Sequence, residues 1–224
     1  MLAPPQSESE LLLRCAGIEG LSIAQLASAV GLRIPEQSSR RKGFIGQAVE
    51  LALGADAGTK SLPDFLDIQV ELKTLPIDHN GRPAESTFIT TIPLLHVREQ
   101  TWENSQCKSK IKRILWVPVE DNLTIPFAHR RLGHAFLWSP SVDELLVLQR
   151  DWFELTDMIS RGELAKIDAR MGEYLQVRPK AANAKSLCYG LDDTGEKFLT
   201  LPRGFYLRSS FTASIMKLSA ILGE

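Results

Sequence analysis

Asp64, Glu71 and Lys73 are the residues of this 224-residue chain whose types and spacing best combine into a reaction centre. Glu71 and Lys73 lie two residues apart, so an extended segment projects both to one face, and Asp64 reaches them if a bend intervenes. Two carboxylates offer oxygen ligands suited to Mg²⁺, and a neighbouring ammonium orients or helps to deprotonate an attacking water. Such parts suit phosphodiester hydrolysis, in which the metal neutralises charge developing on phosphate while in-line attack expels the 3′ oxygen and leaves a 5′ phosphate. Glu50 adds a carboxylate on the preceding helix, able to ligate the metal or hold a water. Taken alone, Glu-x-Lys is also the ordinary pattern of an exposed strand with cross-strand ion pairs, and Glu50 an ordinary solvent-facing helical glutamate.

The elements that must position these groups are read from hydrophobic period. Apolar positions at Leu11 to Leu13 and at Leu21, Ile23, Leu26 and Val30 predict two short helices with a glycine-containing break. From Gly43 the series Phe44, Ile45, Ala48, Val49, Ala52, Leu53 has helical spacing, ended by the segment Gly54 to Gly58. The period then changes. In PDFLDIQVELKTLPI, Ile68, Val70 and Leu72 fall on one side of a predicted strand and Gln69, Glu71 and Lys73 on the other. His79-Asn80-Gly81 reads as a turn into a strand near Ser86 to Ile92, with further strands expected at Arg113 to Pro118 and Ala135 to Trp138. Ser141 and Glu144 form a capping box for a helix toward Ile159. A strand over 173–178, a loop over 189–197, a strand near Phe205 to Leu207 and a helix from about Thr212 to Leu222 complete the expectation. The class is mixed α/β with several hairpin-like connections, organised as one domain, 1–224, of two closely joined lobes.

Composition bounds the partners. With 26 Lys and Arg against 27 Asp and Glu, the net charge of −1 gives no global case for nucleic acid, so local clusters must carry it. Arg40-Arg41-Lys42 is one basic run; Lys108, Lys110, Lys112 and Arg113 form a second, and His129-Arg130-Arg131 a third. The three cysteines, Cys15, Cys107 and Cys188, are odd in number and widely spaced, which argues against a disulfide framework and for the cytoplasm. The acidic N-terminus lacks the pattern of a signal peptide and no apolar window is long enough to span a membrane. His79, His96, His129 and His134 show no metal-ligand spacing, and Cys107 has no histidine base close in sequence, which leaves zinc and a thiol nucleophile without support.

Pro63-Asp64 followed by Glu71-Leu72-Lys73 resembles the metal-binding signature of the restriction-endonuclease-like nucleases. The stretches RRKGFIGQAVELALGADAGTK, DIQVELKTLPIDHNGRPAESTF, TWENSQCKSKIKRILWVPVE, DWFELTDMISRGEL, GEYLQVRPKAANAKSL and TLPRGFYLRSSFTA resemble, in order, the methyl-directed mismatch repair endonucleases of that group. The resemblance implies a mixed sheet flanked by helices, with two lobes forming a DNA cleft. It implies metal or catalytic roles for Glu50, Asp64, Glu71 and Lys73, the cofactor being Mg²⁺, with Mn²⁺ or Ca²⁺ able to occupy the site, and it places Lys110 near the active phosphate. The implied activity is a nick in the unmethylated strand of a hemimethylated GATC duplex, 5′ to the guanine, by a monomer activated by the MutL ATPase after mismatch recognition by MutS.

For DNA binding the resemblance points to Lys42, Glu85, Phe88, the sequence-reading segment Arg178, Pro179 and Lys180, and the methyl-sensing Tyr206. Arg and Lys can donate to guanine edges, an aromatic ring can test the adenine exocyclic nitrogen for a methyl group, and Phe88 can wedge against base steps. The chain departs from the family at Gln106 and Ser109, where histidines are frequent, so histidine chemistry is not expected there. Two alternatives stay open: a related site-specific restriction endonuclease, and a non-catalytic DNA-binding module.

Overall fold

The computed structural model describes residues 2–58, 62–180 and 185–222. Its helices are α1 (Glu8–Ile18), α2 (Ile23–Ala29), α3 (Ser38–Leu53), α4 (Gln106–Ile111), α5 (Val142–Ser160) and α6 (Ser209–Leu222). The strands are β1 (Glu71–Ile77), β2 (Thr87–Thr91), β3 (Ile114–Glu120), β4 (Phe136–Trp138), β5 (Leu175–Pro179), β6 (Cys188–Leu191), β7 (Lys197–Thr200) and β8 (Arg203–Leu207). The expected mixed α/β class, with helices flanking sheets, holds. Two compact units divide the chain: 1–85 with 112–139 and 217–224, and 86–111 with 140–216. Among the described residues no helix is long and apolar enough to cross a membrane.

In the first unit the sheet runs β1-β3-β4, with β1 parallel to β3 and β4 antiparallel. Serine caps begin two of the helices beside it: Ser7 Oγ accepts from the Glu10 amide, and Ser22 with Gln25 closes a complete capping box. Leu11, Cys15 and Leu26 from these helices join Ala48, Val49 and Leu53 of α3 and Leu72, Leu115 and Val117 of the sheet in one buried cluster. Since strand residues alternate, burying Leu72 on the helix side sends Glu71 and Lys73 to the opposite face. The strand therefore sets its charged groups on the face opposite Leu72.

The second unit holds an antiparallel sheet ordered β2-β8-β5 and a hairpin of β6 with β7. The predicted box at the start of α5 is present: Glu144 donates its amide to Ser141 Oγ at 3.2 Å, and the Ser141 amide donates to Glu144 Oε2 at 2.8 Å. The inner face of α5 buries Leu148, Trp152, Leu155 and Ile159 at helical spacing. Asp151 is fully buried on the same helix, where Oδ2 accepts the amides of Glu173, Tyr174 and Leu175 at 2.7–3.0 Å. One carboxylate thus fixes the entry of β5.

Four expectations about elements need correction. The strand expected from Ile68 begins at Glu71, because 66–69 form a turn in which Gln69 takes a left-handed φ of 54°. The Asp78 turn forms, with Asp78 Oδ1 accepting the Asn80 and Arg82 amides, and folds 82–84 back on the end of β1 through an antiparallel Ile77–Pro83 bridge, but β2 itself pairs with β8 while β1 runs parallel to β3. Residues 189–197 are largely hairpin rather than loop: Asp192 Oδ1 accepts the Thr194 and Glu196 amides and Gly195 supplies a φ of 87°. α3 and α6 start earlier than their apolar periods suggest, and at Gln37 no side-chain cap marks the α3 boundary.

Replacing Asp151 with Ala leaves the buried Leu175 amide and the part-buried Glu173 and Tyr174 amides without their acceptor, so urea unfolding is expected to show a loss of about 2–4 kcal/mol.

Candidate active site and nucleic-acid interface

The bend that Asp64 requires is built by the Phe65 to Val70 segment. Phe65 and Val70 exchange backbone hydrogen bonds at 3.0 and 3.3 Å, and the Gln69 side chain donates to the Leu66 carbonyl at 2.5 Å. Folding the chain back here carries Asp64 to the start of β1, where its Oδ2 accepts the Leu72 amide at 2.8 Å. The Asp64 carbonyl in turn accepts the Asp56 and Ala57 amides, just beyond α3, at 3.0 and 3.2 Å. α3 itself closes on Gly54, whose φ of 81° is the left-handed C-cap and whose missing Cβ leaves room for the Ala3 carbonyl. Glu50, half-buried, occupies the last turn of this helix.

Glu71 is 1% exposed, which makes its carboxylate costly unless paired. Lys73 Nζ donates to Glu71 Oε1 at 2.5 Å across the two-residue strand period. The Glu71 amide donates to the Arg113 carbonyl at 3.0 Å, locking the register with β3. The donors gathered at this end of β1 are thus carboxylate oxygens with a lysine beside them. They fit Mg²⁺, which retains several waters and takes one or two carboxylates from the protein. Among the described residues no group of three or more His, Cys, Asp or Glu side chains is gathered as a metal cluster, so the fit rests on the Asp64 and Glu71 segment with Glu50 on the neighbouring helix.

A second assembly lies on the sheet of the other unit. Phe88 and Tyr206 are register partners on β2 and β8, and their rings meet edge to face with centroids 5.3 Å apart. Lys180 Nζ sits 4.2 Å from the centre of the Phe88 ring, a cation–π contact. Arg178 and Pro179 end β5, both exposed. The register of β2 against β8 slips between Phe88 and Thr90, and such bulges twist a strand locally and re-aim its side chains. Gly204 completes the arrangement: a Cβ there would lie 2.7 Å from Phe88 Cε2 and 3.1 Å from the Thr90 carbonyl. The structure brings Phe88, Tyr206 and Lys180 together and puts Arg178 on the same sheet.

The remaining expected positions are placed as follows. Lys110, half-buried, lies in the last turn of α4 in the second unit, and Glu85 is exposed at the end of the first unit's opening segment. The side chain of Lys42 lies outside the described residues. Much of the basic charge flagged in sequence is engaged internally. Arg41 donates to the Pro35 and Glu36 carbonyls and lies over Phe127, Arg113 makes a two-toothed pair with Glu8, and Lys108 pairs with Glu103. Arg130 pairs with Asp121 and Arg131 donates to the Gly20 carbonyl at 2.6 Å, so the third cluster ties loops together. Burial pushes the Cys107 thiol well above its ordinary range, which keeps it protonated and unreactive.

Residues 53–151 match the family model described as "DNA mismatch repair enzyme MutH". The chain is 49% identical over 216 residues to the DNA mismatch repair protein MutH of Escherichia coli (strain K12), covering 96% of this chain and 94% of that relative. The chain belongs to the MutH family. The same protein from E. coli O17:K52:H18 (strain UMN026 / ExPEC) is 48% identical over the same extent. The family-model match covers the whole of β1 and the first part of α5, and the 216-residue alignment spans 96% of the chain.

Sequence reasoning missed Gly204, Ser86 and Gln176 on the Tyr206 face. A glycine inside RGFYL is a cue for close approach, since glycine within a strand marks a bulge or a neighbour that needs the space. Ser86 and Gln176 carried no such cue, because their partners come from separate strands. In this MutH-family chain Gly204→Ala is expected to push the Phe88 ring away from Tyr206 and weaken binding of a GATC duplex about 10-fold in fluorescence anisotropy, the order of one displaced aromatic contact.

Proposed function

We propose that this chain is a Mg²⁺-dependent DNA endonuclease that nicks the unmethylated strand of hemimethylated GATC sites 5′ to the guanine, within methyl-directed mismatch repair. The observation that carries this is the Asp64 carboxylate held on the Leu72 amide beside the buried Glu71 and its Lys73 partner, in a chain 49% identical to a MutH protein. Asp64 and Glu71 hold the cation, with Glu50 as a further ligand or the holder of a water. The bound ion supplies charge neutralisation at the scissile phosphate and a more acidic attacking water. Lys73 gives one ammonium proton to Glu71 Oε1 and has two more donors with which to orient that water. Lys110 contributes positive charge to the scissile or a neighbouring phosphate.

Base recognition falls to the second unit in this proposal. Arg178, Pro179 and Lys180 read the site, Tyr206 tests the adenine for its methyl group, and Phe88 packs against a base step while Lys42 and Glu85 make further DNA contacts. A single set of carboxylates serves one strand, which suits a monomer that nicks rather than cuts both strands. The family context supports the MutL ATPase as the activating partner, with MutS upstream, and the cytoplasm as the place of action.

The test is strand-resolved cleavage, with and without MutL, of hemimethylated, unmethylated and fully methylated GATC duplexes in Mg²⁺. The expected outcome is nicking of the unmethylated strand only, none in the fully methylated duplex, and a rate about 100-fold lower or less for Glu71→Ala. Binding without cleavage under every condition favours a DNA-binding module, and cutting of both strands in one event a restriction enzyme.

A further inference from the structure

β8 is the central strand of its sheet, and the register sets Phe88 on one side of Tyr206 and Gln176 on the other. All three side chains therefore share a face. Gln176 is 4% exposed, and a buried amide must find partners. Its Nε2 donates to Ser86 Oγ at 2.6 Å. The same oxygen accepts from Arg178 Nη1 at 3.3 Å. Gln176 and Arg178 are two residues apart on β5, so the strand period alone brings both to the serine that leads into β2.

We propose that Ser86 and Gln176 are positioning residues that hold the Arg178 guanidinium in place and thereby set base selectivity on the face around Tyr206. The inference rests on the assignment of that face to sequence reading. Arg178 is exposed, and an unrestrained arginine loses rotamer freedom when it engages a base edge. One donor spent on Ser86 fixes the plane of the fork, leaving the other donors for a guanine edge. Gln176 has no reach to solvent; its part is to fill one lone pair of Ser86 Oγ and pin the hydroxyl against rotation.

The test uses the full chain with Ser86→Ala, Gln176→Met, the double variant and Ser86→Thr, which keeps the hydroxyl. Affinity for a hemimethylated GATC duplex and for the same duplex with the G·C pair replaced is read by fluorescence anisotropy at fixed salt, beside thermal melting. Each single variant is expected to lower the specific-to-substituted ratio about 5-fold, the scale of one hydrogen bond, with the double no worse than the singles and Ser86→Thr near wild type. Unchanged ratios with a lowered melting temperature overturn the proposal in favour of a purely structural role, and independent multiplication of the two losses overturns the shared path. Should Gln176→Met fail to fold, Ser86→Ala against Ser86→Thr decides alone. A wild-type chain without preference for GATC overturns instead the assignment of the face to sequence reading.

Discussion

The hydrogen bond from the Leu72 amide to the Asp64 carboxylate organises the candidate active site, because it ties a residue outside the sheet to the start of β1. Everything upstream serves that contact. Gln69 accepts an unfavourable left-handed conformation so that the chain reverses between Phe65 and Val70, and the Asp64 carbonyl is held by amides just past α3. A charge-assisted bond of this kind is among the stronger ones available to a protein, and it offsets some of the cost of the turn. Downstream, Glu71 is already committed to β3 through its amide, so its carboxylate and the Lys73 ammonium have little freedom left. The result is a pre-set group of oxygens and one cation at the start of β1.

The same economy governs the second unit, with different chemistry. Asp151 uses a single buried carboxylate to seat the start of β5, and from there the strand period delivers Gln176 and Arg178 to one face, where both donate to Ser86 Oγ. β8 carries Tyr206 between its neighbours and, two residues earlier, the glycine that makes room for Phe88. The Asp64, Glu71 and Lys73 group and the Phe88, Tyr206 and Lys180 group therefore belong to separate sheets. Recognition elements built on strands hold their geometry more tightly than loops of equal length.

The candidate reaction centre is legible in the sequence because its signal is local: Asp64, Glu71 and Lys73 fall within ten positions, and a strand period needs no tertiary knowledge. The capping boxes at Ser22 and Ser141 are local as well, though only the second was singled out in advance. What escaped depends on partners distant in sequence. The pairing of β2 with β8 rather than β1 is decided by residues more than a hundred positions away, and the β6–β7 hairpin is mostly solvent-facing at Tyr189 and Leu199, so it lacks the apolar alternation that marks a strand. The internal partners of Arg113 and Arg131 are distant in the same way: Glu8 and the Gly20 carbonyl lie more than a hundred positions from them. The resemblance supplied Tyr206 and Arg178; the structure supplied the contacts that give those residues a shared setting.

In the proposed mechanism Asp64 and Glu71 together make one cation site at the start of β1. Electron paramagnetic resonance of free Mn²⁺, titrated into the chain with a hemimethylated duplex and corrected for the duplex alone, counts the bound ions directly. Specific binding is expected in the wild type and is lost in both Asp64→Asn and Glu71→Gln while each still binds the duplex. Mn²⁺ binding unchanged in both variants would contradict it.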